Sequence, residues 1–243
     1  TGIVVHEGRL WVQLERFSDG EPCGFIPPAM LAVVDIATET LIDADPALPG
    51  VQGVELDGTA PKHRMQLVPE AGLLVVSASG GFFDAGGLEV VDLAALRTNG
   101  LLLAEADGRI GADLGSFVLT RPARGYLVFS TDLIESSHLV EFTTSGDVGS
   151  DSEILSIVDY RAPTLVHDTA SDTLFVPQGV PGANGVHVLA ASAARVLTTG
   201  PAPLPGRPTD LALVCNAAVA CGDPACPGTV ACAPVPVPAA WVL

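Results

Sequence analysis

Hydrophobic residues recur along the chain as short runs in a pattern that repeats four times. Each repeat holds an apolar strand, a loop marked by glycine or proline, and a second apolar strand. The second strands end at Asp35, Asp92, Glu141 and Leu189, which are 57, 49 and 48 residues apart. A period of this size built from short strands is typical of β-propeller blades. The pattern therefore predicts an all-β protein with at least four blades.

Each repeat is expected to form four antiparallel strands. The runs are rich in β-branched and aromatic residues and are bounded by Gly, Pro, Asp or Asn, which favours strands over helices. Residues 208–214 resemble residues 161–167 and so predict the start of a fifth blade. We thus expect blades over residues 1–214 and a Cys/Pro-rich segment at 215–243 that closes or docks on them. Further sequence or a partner would complete the ring.

The cysteines are unevenly distributed. Cys215, Cys221, Cys226 and Cys232 crowd the last segment, whereas Cys23 stands apart. Zinc fits the cluster poorly, because it lacks the paired C-x2-C spacing that directs two thiolates to one ion. We expect at least one disulfide within the cluster, with an odd cysteine left free or paired to Cys23. A disulfide would place the protein in an oxidising compartment.

Charge and hydropathy exclude two classes of partner. The chain has 28 acidic and 11 basic residues and a net charge of −17 at pH 7, so nucleic acid and anionic bilayers would be repelled. The longest apolar region, 211–220, is interrupted by Asn216 and is too short to span a membrane. We therefore predict neither a nucleic-acid partner nor a membrane span.

The segments Leu31 to Asp35, Leu-Ala-Val-Val-Asp, and Leu88 to Asp92, Leu-Glu-Val-Val-Asp, carry a family resemblance. With their strand pattern, residues 1–214 resemble the bacterial propellers of the YVTN-repeat, lactonase-like type. The resemblance implies that each blade's innermost strand lines a central channel. It also implies a ligand face formed by the loops between second and third strands and between blades. Those loops would be 15–28, 78–87, 131–137 and 177–185, with 44–63, 106–115 and 158–163 between them.

Common catalytic and cofactor motifs do not occur in the sequence. It has no G-x-S-x-G nucleophile elbow, G-x-G-x-x-G dinucleotide loop, P-loop, H-E-x-x-H motif or EF-hand loop. It also lacks the C-x-x-C-H motif of covalent haem attachment. We therefore expect no catalytic nucleophile and no cofactor.

Two features on the implied face are candidate binding elements. His63 lies between a lysine and an arginine, a positive patch that suits an anionic group, although we favour a solvated strand entrance as the explanation. Phe82, Phe83 and Asp84 lie in a glycine-rich stretch, where two aromatic rings and a permissive backbone can close over a ligand or partner. A hairpin loop with a buried phenylalanine is the alternative.

Acidic residues on the same face offer a second kind of site. Asp132 and Glu135, together with Asp19 and Glu21, supply carboxylates from two loops, and oxygen ligands from several loops suit Ca²⁺. Acidic loops are more often simply solvated. Calcium is therefore an alternative to the expectation of no cofactor.

The remaining polar candidates have structural interpretations. Asp35, Asp92 and Glu141 each end a third strand, where a carboxylate can accept hydrogen bonds in the following turn. His167 and His187 fall on predicted strands, where we expect them to pack or to hydrogen-bond rather than to bind a metal.

Two functional classes remain compatible with the sequence. The first is a non-catalytic binding or scaffold propeller, periplasmic or extracellular in a bacterium, that presents its loops to a protein partner or complex. The second is a metal-dependent, lactonase-like hydrolase with an acidic site on the channel face. An enzyme requires polar groups that converge on one pocket. A scaffold requires an apolar patch or a partner instead.

Overall fold

The structure is a computed structural model of the 243-residue chain. It describes residues 2–14, 28–58, 60–79, 86–106, 113–121, 124–130, 137–146, 148–157, 164–179, 183–205, 208, 211–215 and 232–236. Over these ranges the chain forms β-strands and two short 3₁₀ helices, Pro69–Ala71 and Ala191–Ala193, and no α-helix. No helix in this part of the chain is long and apolar enough to cross a membrane.

Four antiparallel sheets follow one another along the chain and form the blades. Blade 1 contains β1 (Ile3–His6), β2 (Arg9–Leu14), β3 (Met30–Asp35), β4 (Thr40–Leu41) and β5 (Val54–Glu55). Blade 2 contains β6 (Ala60–Val68), β7 (Leu73–Ser79), β8 (Gly87–Asp92) and β9 (Arg97–Ala104).

Blade 3 contains β10 (Asp113–Arg121), β11 (Arg124–Ser130), β12 (Ser137–Thr143) and β13 (Val148–Ile157). Blade 4 contains β14 (Val166–Asp168), β15 (Thr173–Gln178), β16 (Gly185–Ala190), β17 (Arg195–Val196) and β18 (Ala202–Pro203). A two-stranded sheet follows, formed by β19 (Leu211–Cys215) and β20 (Cys232–Pro236).

The blades are arranged in the order expected of a propeller. The innermost strands contact one another in sequence, from β1 to β6, β10, β14 and finally β19. The predicted all-β fold with at least four blades is therefore confirmed. The strand β19 takes the place where a fifth blade begins.

The outer strand of blade 1 differs from the prediction. It is split into β4 and β5, which both pair with β3, and β5 lies in the segment 44–63 that was expected to be a loop. Two prolines, Pro46 and Pro49, interrupt the strand because proline has no N–H to donate to the ladder. Blade 4 shows the same division, since β17 and β18 both pair with β16.

The hydrophobic core lies in the joints between blades. Alternate residues of each strand face opposite neighbours, so each sheet is apolar on both sides. Between blades 1 and 2, Trp11 and Val33 pack with Leu74, Val76 and Val91, which are all at most 1% exposed. Similar clusters fill the joints between blades 2 and 3 and between blades 3 and 4.

Hydrogen bonds from side chains to backbone carbonyls tie adjacent blades together. The Arg9 guanidinium of blade 1 donates to the Leu93 carbonyl of blade 2 over 3.1 Å. The Tyr126 hydroxyl of blade 3 donates to the Ala191 carbonyl of blade 4. Both carbonyls belong to the residue that follows the third strand of the next blade. Equivalent positions in two joints are therefore bridged by different side chains, an arginine in one and a tyrosine in the other.

The turns after the third strands form the end of the arc opposite the implied ligand face. The carboxylate of Asp35 accepts from the Thr38 N–H, and that of Asp92 accepts from the Ala94 and Ala95 N–H groups. The prediction of turn-capping carboxylates is confirmed for these two residues.

Glu141 does not cap its turn. Its carboxylate instead pairs with the Arg124 guanidinium over 2.5 Å. The strand β12 continues two residues beyond Glu141, to Thr143, so Glu141 lies inside the ladder opposite Tyr126 and not at the turn. The prediction of a turn cap at this position is wrong.

These turns also hold residues with left-handed backbone conformation. Glu39, Leu96 and Ala194 have φ of 55°, 52° and 48°. Each lies four positions after the last residue of the third strand of its blade. A left-handed non-glycine residue costs about 1 kcal/mol or more, so the shape of the turn, rather than local preference, imposes it.

The hairpin of β19 and β20 suggests a specific disulfide. Its backbone register places Cys215 directly opposite Cys232, and opposed Cα atoms in an antiparallel pair are about 4.5–5.5 Å apart, within disulfide range. We predict a Cys215–Cys232 disulfide. This disulfide would stabilise the folded state by about 3 kcal/mol, because the closed loop lowers the entropy of the unfolded chain.

Non-reducing peptide mapping by mass spectrometry measures this pairing directly. Counting thiols in denatured protein provides the control. Five free thiols, or Cys215 joined to a different cysteine, would contradict the prediction.

Candidate functional site

The loops of the implied ligand face leave the blades at one end, between the second and third strands. The predicted residues Phe82, Phe83, Asp84, Asp132 and Glu135 lie outside the described residues, as do Asp19 and Glu21. The backbone of His63 lies in β6, and its side chain is also outside the described set. The structure does describe the strand ends from which these loops leave the blades.

Buried polar residues are concentrated at this loop-bearing end. Of the nine buried polar residues in the described ranges, only Asp168 lies at the opposite end. Buried polar groups usually have hydrogen-bond partners, and here Gln13 Nε2, Ser77 Oγ and His187 Nδ1 have none among the described residues. The other eight residues are Gln13, Ser77, Glu89, Glu105, Ser116, Ser137, Gln178 and His187.

Glu89 is a fully buried carboxylate in the joint between blades 1 and 2. One oxygen accepts the Gly58 N–H over 2.7 Å, and the other accepts the Asp57 N–H over 2.8 Å and the Thr98 hydroxyl over 3.3 Å. Burial raises the pKa of Glu89, and the two backbone N–H groups oppose this rise. The carboxylate clamps the segment by which the chain passes from blade 1 into blade 2.

His187 and Gln178 form a buried pair in the joint between blades 3 and 4. The His187 Nε2 and Gln178 Oε1 atoms are 2.9 Å apart, and the Gln178 amide donates to the Ala183 carbonyl over 3.1 Å. Burial lowers the pKa of His187, so its imidazole is neutral at physiological pH. The pair holds the two ends of the loop between β15 and β16. The expectation that His187 hydrogen-bonds on its strand is confirmed.

A third titratable residue occupies the equivalent place in blade 3. His138 is paired with Glu153 over 3.1 Å and stacks near the Phe129 ring, 5.4 Å away between centroids. Glu89, His138 and His187 each face the preceding blade and are spaced by 49 residues. This recurrence was visible in the sequence but was missed, because the motifs considered were contiguous.

A cavity of about 320 Å³ lies between the innermost strands of blades 2 to 4. Among the described residues that line it, none carries a carboxylate. Gln66 is already engaged with the Leu119 backbone, at 2.8 Å to its carbonyl and 2.6 Å from its N–H. His167 lies 3.5 Å from Asp172. The lining residues are Met65, Gln66, Phe117, Val118, Leu165, Val166 and His167.

The polar groups at the loop-bearing end are thus distributed among separate joints. Within the ranges the structure describes, no three His, Cys, Asp or Glu side chains lie close enough together to hold a metal ion. Glu89 and His187 direct hydrogen bonds at neighbouring backbone and side chains.

Comparison with known proteins gives information on the fold. No protein-family model matches the chain, and no curated protein matches its sequence. Among solved structures, a structural genomics protein of unknown function from Bacteroides thetaiotaomicron is similar at 9% identity and a TM-score of 0.50. The match covers 77% of this chain and 40% of that protein.

Two further structures are similar at slightly lower scores. An exo-β-1,3-galactanase from Clostridium thermocellum matches 88% of this chain and 51% of its own, with 12% identity and a TM-score of 0.49. A chain of a nidogen/laminin complex matches 86% of this chain and 66% of its own, with 11% identity and a TM-score of 0.48. The neighbours are propeller-like. At these identities the likeness concerns the fold alone.

Proposed function

We propose that this protein is a non-catalytic propeller of the YVTN-like type that works outside the cytoplasm and presents the loops of one face to a protein partner. The observation that carries the proposal is the concentration of buried polar residues at the loop-bearing end. Loops serve recognition best when a rigid scaffold positions them. The Glu89 clamp and the Gln178–His187 pair provide such supports.

The net charge of the chain limits the kind of partner surface it can bind. A chain with a net charge of −17 favours association with basic or neutral surfaces and repels acidic ones. The aromatic pair Phe82 and Phe83 would supply contact area, because aromatic residues buried at protein interfaces contribute much of the binding energy. The glycines around them permit close backbone approach.

The proposal predicts that replacing Phe82 and Phe83 together by serine weakens partner capture about tenfold or more. The measurement is cross-linked capture from an extract of the native host, quantified by mass spectrometry against the unaltered chain. The thermal midpoint should stay within about 1 °C, because side chains that contact a partner add little to the fold.

Ile36→Ser is the matched control, because Ile36 is 46% exposed at the opposite end of the arc. It should leave capture unchanged. A collapse of the thermal midpoint in the double variant would show that the two rings belong to the core. If the protein turns over a lactone or ester only when Ca²⁺ is added, the hydrolase function would replace the binding function proposed here.

A further inference from the structure

A cavity of about 320 Å³ lies between blades 1 and 2 at the end of the arc opposite the loops. We call it the joint cavity. Blade 1 contributes His6, Glu7, Arg9 and Trp11 to its walls, and blade 2 contributes two turns, one of which holds Ala94. Small-molecule sites occupy about 300–1,000 Å³, so the volume of the joint cavity suits a compact ligand.

The Arg9 guanidinium in the joint cavity has hydrogen-bond donors to spare. Of its five N–H groups, one donates to the Leu93 carbonyl over 3.1 Å, and no carboxylate in the described part of the chain forms an ion pair with it. Asp35 lies opposite Arg9 in the ladder, but its carboxylate accepts the Thr38 N–H over 2.9 Å. Among the groups that lower the pKa of Asp35, the Thr38 N–H contributes most and the Arg9 charge least.

The joint between blades 3 and 4 shows how an arginine at this end is paired within the chain. Tyr126 takes the position of Arg9 there, and its hydroxyl donates to the backbone of blade 4. The neighbouring Arg124 donates to the same stretch of backbone over 2.9 Å, and Glu141 neutralises its charge. Arg9 has no such internal carboxylate partner among the described residues and instead lines the joint cavity.

Trp11 adds a second unused donor to the same wall. Its side chain is 0% exposed, and its Nε1 atom has no hydrogen-bond partner among the described residues. A buried indole N–H usually finds an acceptor, and a ligand oxygen in the joint cavity would give it one. Indole and guanidinium groups can only donate. The two residues together therefore favour a ligand that carries negatively charged oxygen atoms.

We propose that the joint cavity binds a small organic carboxylate, whose charged group pairs with Arg9 and whose apolar part packs beside Trp11. The planar guanidinium matches the two oxygens of a carboxylate. Glu7 lines the same cavity and the chain has a net charge of −17, so a ligand with one negative charge is favoured over a phosphate with two. This site is separate from the loops assigned to partner binding.

Titration of the full ¹⁵N-labelled chain with benzoate, followed by NMR, tests the proposal. The chain has two tryptophans, Trp11 and Trp241, so the Trp241→Phe variant identifies the indole N–H signal of Trp11. Benzoate should shift this signal in a saturable way. Benzamide, which has the same shape without the charge, should bind about tenfold or more weakly, and inorganic phosphate should also bind more weakly than benzoate.

Two variants locate the carboxylate. Arg9→Gln should raise the dissociation constant of benzoate about tenfold or more, whereas Arg195→Gln, which removes an exposed arginine of blade 4, should leave it unchanged. Arg9→Gln also removes the hydrogen bond to Leu93 and can loosen the joint. Ala94→Phe keeps that bond and fills the joint cavity from an exposed position, so it should weaken benzoate binding by a similar factor.

Several results would overturn the proposal. A Trp11 signal that stays in place up to about 50 mM benzoate would show that the cavity binds no carboxylate of this size. Equal affinity for benzamide would show that charge is not recognised, and tighter binding of phosphate would assign the site to a different anion. Unchanged benzoate binding in Ala94→Phe would place the ligand elsewhere. None of these readouts involves the loops assigned to partner binding, so the two proposals fail separately.

Discussion

Gly87→Ala is expected to cost about 3 kcal/mol or more of folding free energy. A Cβ atom at Gly87 would lie 1.8 Å from the Leu103 carbonyl oxygen and 2.9 Å from its carbon. Both are backbone atoms of the paired strand β9, so no side chain can rotate to make room. The two strands must separate, and overpacking of this kind costs several kcal/mol. The thermal midpoint should fall by about 10 °C.

Gly200→Ala is the matched control for this prediction. A Cβ atom at Gly200 meets nothing within 4 Å, so the midpoint should stay constant or rise slightly as the unfolded chain loses freedom. Gly185 occupies the place of Gly87 in blade 4, with a Cβ position 2.4 Å from the Ala202 carbonyl oxygen. An unchanged midpoint for Gly87→Ala would mean that blade 2 has a looser third strand than the structure shows.

Glu89→Gln is expected to destabilise the protein by about 2 kcal/mol at pH 7 although it removes a buried charge. Both carboxylate oxygens accept backbone N–H groups, from Gly58 at 2.7 Å and Asp57 at 2.8 Å. A glutamine has one oxygen, so its NH₂ group must face one of these donors. Chemical denaturation of both chains measures the difference, and Glu55→Gln on the exposed strand β5 should change stability by less than about 0.5 kcal/mol.

The stability difference caused by Glu89→Gln is also expected to change with pH. Burial raises the pKa of Glu89 above its ordinary value of 4.5, so the folded state takes up the proton at a higher pH than the unfolded state does. The stabilisation from this residue is therefore complete below pH 4.5 and is lost as pH rises through the folded-state pKa. The gap between the unaltered chain and Glu89→Gln should be wider at pH 5 than at pH 7. A gap that narrows on acidification would show that the Gly58 and Asp57 N–H groups outweigh burial and lower the pKa of Glu89 instead.

The second and third strands of each blade were the most predictable elements. Their alternation of apolar residues faces two neighbours at once, and turn residues bound them on both sides, so the period of about 49 residues emerges from local sequence. The outer strands were less predictable, because proline interruptions split the one in blade 1 and because its pairing depends on β3. Local sequence does not determine which outer residues pair with β3.

The candidate site was predictable only in part. Asp35 and Asp92 cap turns within three residues of themselves, and such local contacts follow from residue type. Glu89 binds a backbone segment 31 residues earlier in the chain, and Gln66 binds a strand 53 residues later. Contacts between residues so far apart in the sequence depend on how adjacent blades pack. Their polar residues could be recognised as recurrent, but their partners could not be named from sequence.

The left-handed residues Glu39, Leu96 and Ala194 determine where this chain tolerates added length. Each sits in a four-residue turn, and one inserted residue there would have to dismantle the turn or shift the outer strand by one place, turning its side chains to the wrong side. These three turns are therefore expected to accept substitutions more readily than insertions.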